Sequence, residues 1–328
     1  MSSPATVRTH LIHTNGIDLN VFEAGDPANP TVLLCHGFPE AAYSWRHQVP
    51  VLAAAGYHVV APDQRGYGQS SLPKDVADYG IGNLVGDLTG LLDHYRKDDA
   101  VFVGHDWGAL IVWEAARLVS DRVRAVVGVS VPAVAWPGPP TQLFKMVFQD
   151  NFFYMLYFQP VGPAEAELDA DPRESLRKIY WGASGEGFVM PSAPSPMEGT
   201  GFLTNMPEPP PLPWKLDGYT WLTEDDLDFY ADQFRRSGFF GPVSYYRNLD
   251  SNYAVVKDLG LDLITMPSFF IGGRRDPVLV MDDSGLERMR TQLPDYRGAV
   301  LLDGAGHWTQ QEKPAEFNEA LLGFLESL

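Results

Sequence analysis

The segment AVFVGHDWG, from Ala100 to Gly108, constrains the fold of this chain more than any other. Residues 101–103 are apolar and β-favouring, which predicts a buried strand, and apolar residues recur at helical spacing after Gly108. A strand is therefore expected to turn directly into a helix at Asp106. Glycines stand two residues before and two residues after Asp106, and they allow the strand and the helix to approach closely. The pattern is a Gly-x-Ser-x-Gly nucleophile elbow with aspartate in place of serine.

Aspartate is also a favoured helix N-cap, so this short pattern alone fits a simple cap as well as a nucleophile. A nucleophile needs a histidine and a second carboxylate. In hydrolases with this elbow the acid follows the nucleophile along the chain and the histidine comes last. His307 lies in the glycine-rich loop DGAGHW, between the last predicted strand and the closing helix. Asp276, at the end of the preceding strand, is the predicted acid, with a turn-forming Asp-Pro as its alternative interpretation. Asp282 and Asp283 are weaker candidates for the acid.

Four basic residues lie beside these positions. His36 and His105 flank positions at which the backbone is critical, so we expect both to make structural hydrogen bonds rather than to transfer protons. Arg274 and Arg275 directly precede Asp276. The sequence leaves open whether they perturb its hydrogen bonding or face solvent.

The composition restricts the partners and the compartment. The 328 residues carry a formal net charge of −18, which argues against nucleic acid and against anionic membranes as partners. No apolar run approaches the roughly 20 residues that cross a bilayer, and residues 1–9 lack the apolar core of a signal peptide. A single cysteine, Cys35, excludes an internal disulfide, and no Cys/His cluster has metal-ligand spacing. We expect a soluble cytoplasmic protein without metal or cofactor, and a homodimer is left open.

Strands and helices alternate along most of the chain. The pattern predicts a hairpin at 9–25 with its turn at Asn15-Gly16, and further strands at 31–35, 57–61, 101–103, 123–131, 268–271 and 298–302. Helices are predicted after the elbow and at 44–55, 83–96, 283–292 and 314–325. This alternation is typical of an α/β fold with a mostly parallel sheet flanked by helices, which binds its ligands at the carboxyl ends of the strands.

Residues 133–245 interrupt the alternation. They are rich in aromatic residues, show no buried-strand pattern, and contain a stretch rich in proline and glycine at 185–218. One helix is clear, because Thr223 caps it and Leu227 and Phe234 lie on one apolar face. An insertion at the carboxyl ends of the strands would cover the elbow. We therefore expect an α/β-hydrolase-type core at 1–132 and 246–328 and a helical cap at 133–245.

A carboxylate nucleophile predicts a particular chemistry. Aspartate, with a pKa of about 3.9 in model peptides, is ionised at neutral pH and can displace a leaving group from saturated carbon. Water activated by His307 would then hydrolyse the ester formed on Asp106. The motif HGFP at 36–39 follows the strand next to the elbow, so the backbone N–H groups of Phe38 and Trp107 are predicted to form the oxyanion hole. The leaving group is an alkoxide or a halide, and the cap must select it.

Six stretches are long enough to compare with known families: HGFPEAAYSWRHQVP, DQRGYGQS, GHDWG, LYFQPVGPAEAEL, GPVSYYRN and GHWTQQEKP. They resemble soluble epoxide hydrolases of the α/β-hydrolase superfamily, and the likeness runs from about residue 10 to the C-terminus. The resemblance implies a detoxifying hydrolase that converts apolar epoxides and water to vicinal diols. It also implies that two cap tyrosines bind the epoxide oxygen and protonate the alkoxide. These are Tyr154, at the start of YxLYFQ, and Tyr246, before Arg-Asn in GPxxxYRN, rather than the neighbouring Tyr157 and Tyr245.

Two other functions share parts of this pattern. Haloalkane and haloacid dehalogenases resemble this chain at the aspartate elbow. Haloalkane dehalogenases, however, carry asparagine at the position of Phe38, and fluoroacetate dehalogenases carry arginine at the position of Trp107. A non-catalytic ligand receptor of the same fold would lack a catalytic residue, and none is missing here. Large aromatic residues are expected to line an apolar substrate tunnel. They are Phe38, Trp107, Phe153, Phe158, Trp181 and Trp308.

Overall fold

A computed structural model describes residues 6–190 and 193–328 of the protein. The strands in these ranges are β1 (Arg8–Thr14), β2 (Ile17–Ala24), β3 (Thr31–Cys35), β4 (His58–Pro62), β5 (Ala100–His105), β6 (Val123–Val129), β7 (Trp214–Leu216), β8 (Tyr219–Leu222), β9 (Ser268–Gly273) and β10 (Tyr296–Leu302). Eight of the strands described form one sheet in the order β1-β2-β4-β3-β5-β6-β9-β10. β2 pairs antiparallel with β1 and with β4, and the other neighbours are parallel.

Helices occupy most of the remaining chain. They are α1 (Val49–Ala54), α2 (Ile81–His94), α3 (Trp107–Leu118), α4 (Pro140–Phe148), α5 (Tyr154–Tyr157), α6 (Pro163–Leu168), α7 (Pro172–Ala183), α8 (Glu224–Ser237), α9 (Phe240–Arg247), α10 (Leu249–Val256), α11 (Pro277–Met281), α12 (Gly285–Gln292), α13 (Thr309–Glu312) and α14 (Pro314–Glu326). Short 3₁₀ turns lie at Ala42–Trp45, Val76–Tyr79, Ser120–Arg122, Leu203–Asn205 and Leu261–Leu263. None of the helices in the described ranges combines the length and the apolar character of a membrane span.

The predicted fold class is confirmed. β3, β4 and β5 are mostly apolar strands in which every residue is buried, as expected of parallel strands covered on both faces. β1 forms one edge of the sheet and its exposed residues alternate with less exposed ones, which suits an edge strand with one solvent face. The hairpin predicted around Asn15-Gly16 is confirmed, since Thr14 pairs with Ile17 across that turn. The carboxyl ends of β5, β9 and β10 meet at one edge of the sheet, which is the edge predicted to carry the site.

Between β6 and β9 the chain forms a helical insertion that also includes a small hairpin. β7 and β8 pair around Asp217 and Gly218, which both have positive φ values, 49° and 83°. Residues 133–245 show no buried-strand pattern, and this hairpin was not predicted, because an Asp-Gly turn lets very short, partly exposed strands pair within a proline-rich stretch. The predicted helix after Thr223 is confirmed as α8, with the Thr223 side chain accepting from the Asp226 N–H. α9 runs across the proposed boundary at 245/246, so the division into core and cap stays a prediction.

The prediction of one helix at 44–55 is wrong in its extent. The structure has a 3₁₀ turn at Ala42–Trp45 and then a separate helix, α1, that begins at Val49. Pro50 lies in the first turn of α1, where its missing N–H costs nothing. A continuous helix would place the ring of Pro50 against the carbonyl four residues earlier. The 3₁₀ turn therefore ends before Pro50, and a new helix begins at Val49.

Candidate active site

Asp106 lies at a strained turn between β5 and α3. Its φ and ψ angles are 52° and −116°, a conformation that residues other than glycine rarely adopt. Gly104 and Gly108 make the turn feasible, since a Cβ on Gly104 would lie 2.1 Å from the Gly108 carbonyl oxygen. The turn places the carboxylate at the first turn of α3, where the free N–H groups of the helix favour an anion. The side chain caps no N–H group of α3, so the structure favours a nucleophile over a simple cap.

His307 contacts both predicted carboxylates. Its Nε2 lies 3.5 Å from Oδ2 of Asp106, and its Nδ1 lies 3.1 and 3.2 Å from the two carboxylate oxygens of Asp276. Asp276 is fully buried, and its Oδ1 also accepts from the Val278 N–H at 2.8 Å. The structure therefore brings the three predicted residues together, in the order nucleophile, histidine, acid. Their catalytic roles stay a prediction.

Burial and neighbouring charges shift the pKa values of Asp106 and His307. Burial alone would raise the pKa of Asp106, but the hydrogen bond and charge of His307, together with His105 and the Phe38 N–H, outweigh burial and lower it. Burial lowers the pKa of His307, yet the carboxylates of Asp276 and Asp106 raise it well above its ordinary value. Both shifts favour an ionised Asp106 beside a protonated His307 in the free protein.

The two oxygens of Asp106 have different surroundings. Oδ1 accepts a hydrogen bond from the Phe38 backbone N–H at 2.7 Å, while Oδ2 is the oxygen near His307. Phe38 therefore lies where an oxyanion-hole donor was predicted, and the oxygen that it binds belongs to the nucleophile itself. Trp107 is the first residue of α3, so its N–H is among those that the helix leaves without an internal acceptor. Its contribution to the oxyanion hole stays a prediction.

Tyr154 and Tyr246 form a pair near Asp106. Their ring centroids are 5.7 Å apart, and the Asp106 charge contributes, after burial, to raising the pKa of each tyrosine. The neighbouring tyrosines point elsewhere: the Tyr245 hydroxyl donates to the Arg65 carbonyl at 2.9 Å, and that of Tyr157 is directed at the Pro163 carbonyl. This placement supports the assignment of the pair to Tyr154 and Tyr246.

Aromatic side chains surround the tyrosine pair. The Tyr246 ring lies 5.4 Å from Phe38, 5.1 Å from Phe158 and 5.1 Å from Trp107. Phe202 also contacts Tyr154, with 5.6 Å between ring centroids, and the sequence interpretation missed it. It lies in the proline- and glycine-rich stretch, which carries no periodicity that could have indicated it.

The other predicted tunnel residues make separate contacts. Phe153 packs beside Tyr154 and stacks on Phe148 with 4.0 Å between centroids. Trp181 packs against Trp214, and Trp308 is almost fully buried, with its Nε1 donating to the Tyr180 carbonyl at 2.7 Å. These contacts pack Phe153 and Trp181 within the insertion and bury Trp308 beneath it. That they line a substrate tunnel stays a prediction.

The sequence interpretation also missed a buried link beneath the site. Nδ1 of His105 lies 2.7 Å from Oε2 of Glu40, and its Nε2 donates to the His307 carbonyl at 2.8 Å. Glu40 also accepts from the Gly37 N–H at 3.0 Å, next to the Phe38 donor. Burial opposes ionisation of Glu40, but the charge and hydrogen bond of His105 lower its pKa. Glu40 and His105 therefore join the oxyanion loop to the backbone of His307.

The remaining basic neighbours are His36, Arg274 and Arg275. The expected hydrogen bonding of His36 is confirmed, since its Nε2 accepts from the Gln64 N–H at 3.0 Å and its Nδ1 meets the Gly37 carbonyl. Arg274 and Arg275 are exposed, and Arg274 pairs with Asp303 on the surface. Both therefore face solvent, away from the buried carboxylate that follows them. The described ranges contain no group of three or more His, Cys, Asp or Glu residues placed to hold a metal ion.

Comparison with known proteins agrees with this geometry. Residues 30–158 match the α/β hydrolase fold family. Epoxide hydrolase A of Mycobacterium tuberculosis is 48% identical over 97% of each chain. The crystal structure of epoxide hydrolase A from Mycobacterium thermoresistibile has a TM-score of 0.90 at 46% identity, with 98% of each chain covered. An epoxide hydrolase from an endophytic Streptomyces also gives 0.90, at 38% identity, covering 99% of this chain and 96% of its own. The chain belongs to the epoxide hydrolase family of α/β-hydrolase fold proteins.

Proposed function

We propose that this protein hydrolyses apolar epoxides to vicinal diols through a covalent ester on Asp106. The observation that carries the proposal is the placement of Tyr154 and Tyr246. Their rings pack together, and the Tyr246 ring lies against Trp107, which follows Asp106 in the chain, and against Phe38, whose N–H binds the Asp106 carboxylate. A carboxylate alone would suit a halide leaving group equally well. Paired O–H donors instead suit an epoxide. Its oxygen becomes an alkoxide when the ring opens, and an alkoxide is stabilised by hydrogen bonds and finally needs a proton.

In the first step Oδ2 of Asp106 attacks a ring carbon and the carbon–oxygen bond of the epoxide breaks. Oδ1 remains bound to the Phe38 N–H, which holds the carboxylate in one orientation. Tyr154 and Tyr246 donate hydrogen bonds to the epoxide oxygen, and one of them transfers its proton to the alkoxide. The products of the step are an ester on Asp106 and a hydroxyl on the adjacent carbon of the substrate.

Forming the ester also prepares the second step. The Asp106 charge contributes, together with burial, to the raised pKa of both tyrosines, and it contributes with Asp276 to the raised pKa of His307. Esterification removes that charge. The pKa values of the tyrosines then fall as one of them must release a proton, and that of His307 falls as it must become a neutral base. A single bond-forming event therefore adjusts three proton-transfer groups in the required direction.

In the second step His307 removes a proton from water, and the resulting hydroxide attacks the carbonyl carbon of the Asp106 ester. Negative charge then develops on Oδ1, which already lies against the Phe38 N–H, and the Trp107 N–H is the proposed second donor. Asp276 supports the imidazolium that forms, through its contacts of 3.1 and 3.2 Å to Nδ1. Collapse of the intermediate breaks the bond between the carbonyl carbon and Oδ2, so Oδ2 leaves with the diol, whose alkoxide takes a proton from the His307 imidazolium. The proton on the new carboxyl group restores the tyrosinate to a phenol, and Asp106 is again a carboxylate.

The same proposal extends to the surroundings of the site. Residues 133–245 serve as the cap that brings Tyr154, Phe153, Phe158 and Trp181 to the core, and the aromatic cluster favours apolar substrates. The acidic composition and the single, buried Cys35 support a cytoplasmic enzyme that acts on a small molecule and water. All proposed site residues come from one chain, so the reaction requires no second copy, and a homodimer is compatible with it.

The direct test is turnover of a panel of aryl and alkyl epoxides, with halide release from chain-length-matched haloalkanes and from fluoroacetate measured in parallel. We expect diol formation well above the enzyme-free rate and halide release at the enzyme-free rate, because the phenols are arranged for an oxygen leaving group. Halide release without diol formation would contradict the proposal in favour of a dehalogenase. Absence of both activities would favour a binding protein.

A further inference from the structure

Glu312 is a buried carboxylate that the proposed steps do not use. It ends the short helix α13, five residues after His307, and only 1% of it is exposed. Its Oε2 accepts from the Gly185 N–H at 2.8 Å and from the Gly306 N–H at 3.1 Å, and its Oε1 accepts from the Trp308 N–H at 3.0 Å. Gly306 and Trp308 are the two neighbours of His307. Gly185 belongs to the proposed cap.

These three hydrogen bonds lie within a tight junction between the cap and the loop that carries His307. The His307 N–H donates to the Ala183 carbonyl at 2.9 Å, which is a further bond across the same junction. A Cβ on Gly185 would lie 1.8 Å from the Gly304 carbonyl oxygen, so the two backbones are in direct contact. Any shift of the cap at this point would move the backbone that positions the His307 ring.

Only a carboxylate fits the donors that meet here. Two oxygens are needed to accept three N–H groups on two sides, and an amide offers one oxygen and an NH₂ that cannot accept. The carboxylate is also unfavourable to ionise at this position. Burial raises the pKa of Glu312 to about 7, and the nearby Asp276 charge adds to the increase, although the three N–H groups oppose it. A side chain this costly would not be needed merely to fill space.

We infer that Glu312 is a positioning residue that fixes the His307 loop to the cap and thereby holds His307 in place for ester hydrolysis. The inference rests on the proposed two-step reaction. It assigns Glu312 to the second step alone, because the first step requires no base. The hydrogen bonds of Glu312 go to Gly185, Gly306 and Trp308, so ring opening, which uses Asp106 and the two tyrosines, is expected to be independent of it.

The test is Glu312→Gln, which retains the shape of the side chain but loses one accepting oxygen. Misplacement of a catalytic group by about 1 Å costs on the order of 10²-fold, so ester hydrolysis should slow by about that factor. Alkylation should stay within about threefold of wild type. In the steady state kcat and KM should then fall together while kcat/KM is retained, since the ester accumulates. Glu316→Gln, at an exposed glutamate on α14, is the matched control and should match wild type.

A second variant covers the case in which Glu312→Gln does not fold. Glu312→Asp keeps the charge but is one methylene too short to bind Gly185 and Trp308 together, and it should slow hydrolysis in the same selective way. Unchanged hydrolysis in a folded variant would overturn the inference, and so would equal losses in both half-reactions. Failure of both variants to fold would overturn it too, since Glu312 would then be required for folding. An ester burst in the wild-type protein tests the two-step reaction separately.

Discussion

His307→Gln is expected to form the ester on Asp106 and then fail to release it. Displacement by a carboxylate requires no proton removal, so the variant retains what it needs for ring opening. Ester hydrolysis loses its base, and loss of a triad member in a hydrolase typically costs 10⁴-fold or more, so diol formation should fall by roughly 10⁴-fold. Intact-protein mass spectrometry should show the mass of one substrate added to nearly every molecule.

The same variant also has a predictable pH dependence. In the wild type the hydrogen bond and charge of His307 outweigh burial and lower the pKa of Asp106. A neutral glutamine removes most of that contribution, so the pKa of Asp106 should rise. Because only the ionised carboxylate attacks, alkylation by the variant should decline at a higher pH than alkylation by the wild type. His94→Gln, at an exposed histidine, is the matched control and should behave as wild type in both assays. A His307→Gln protein that forms neither adduct nor diol would show that His307 acts before the ester forms.

Replacing both Tyr154 and Tyr246 by phenylalanine is expected to abolish ring opening while the fold is retained. Each phenol supplies one donor to the departing oxygen, and a positioned proton transfer is typically worth about 10²–10⁴-fold. Either single variant keeps one donor and should show a partial loss. The double variant has none, so alkylation should fall by at least about 10⁴-fold, toward the limit of detection. Its pre-steady-state trace should lack the ester burst, although Asp106 and His307 are intact.

The neighbouring tyrosines provide the matched control. Tyr157→Phe with Tyr245→Phe removes two hydroxyls from the same segments, but in the structure those hydroxyls face the Pro163 and Arg65 carbonyls. This double variant should keep its burst, with a modest loss of thermal stability from the buried Tyr245 hydrogen bond. Two results would refute the assignment: near wild-type alkylation by Tyr154→Phe/Tyr246→Phe, or loss of the burst in the control.

The sequence could predict the sheet and the meeting of Asp106, Asp276 and His307 for a physical reason. Each of these residues follows the carboxyl end of a parallel strand, and such ends meet at one edge of a sheet. Continuous apolar runs mark those strands clearly, as in β3 and β5. The two tyrosines could not be predicted in this way. Periodicity does not distinguish Tyr154 from Tyr157, and only the family motif does.

The features that sequence could not predict depend on contacts without a local signal. Glu40 lies 65 residues from its partner His105, and Glu312 lies 127 residues from Gly185. Neither glutamate belongs to a repeating pattern, and each would be expected at the surface by composition alone. The break before α1 was visible in principle at Pro50, and the hairpin β7-β8 at Asp217-Gly218. The break was missed because the helical pattern around Pro50 outweighed the proline. The hairpin was missed because the proline-rich stretch around Asp217-Gly218 shows no strand pattern.

The central claim is that Asp106 attacks the substrate and that water attacks Asp106. A single turnover in oxygen-18 water, with enzyme in excess of epoxide, tests it most directly. Hydrolysis of the ester at its carbonyl carbon places the heavy oxygen in the carboxylate, so a peptide containing Asp106 should gain two mass units while the first diol carries none. Heavy oxygen in the first diol and none in Asp106 would contradict the account, because water would then have opened the epoxide itself.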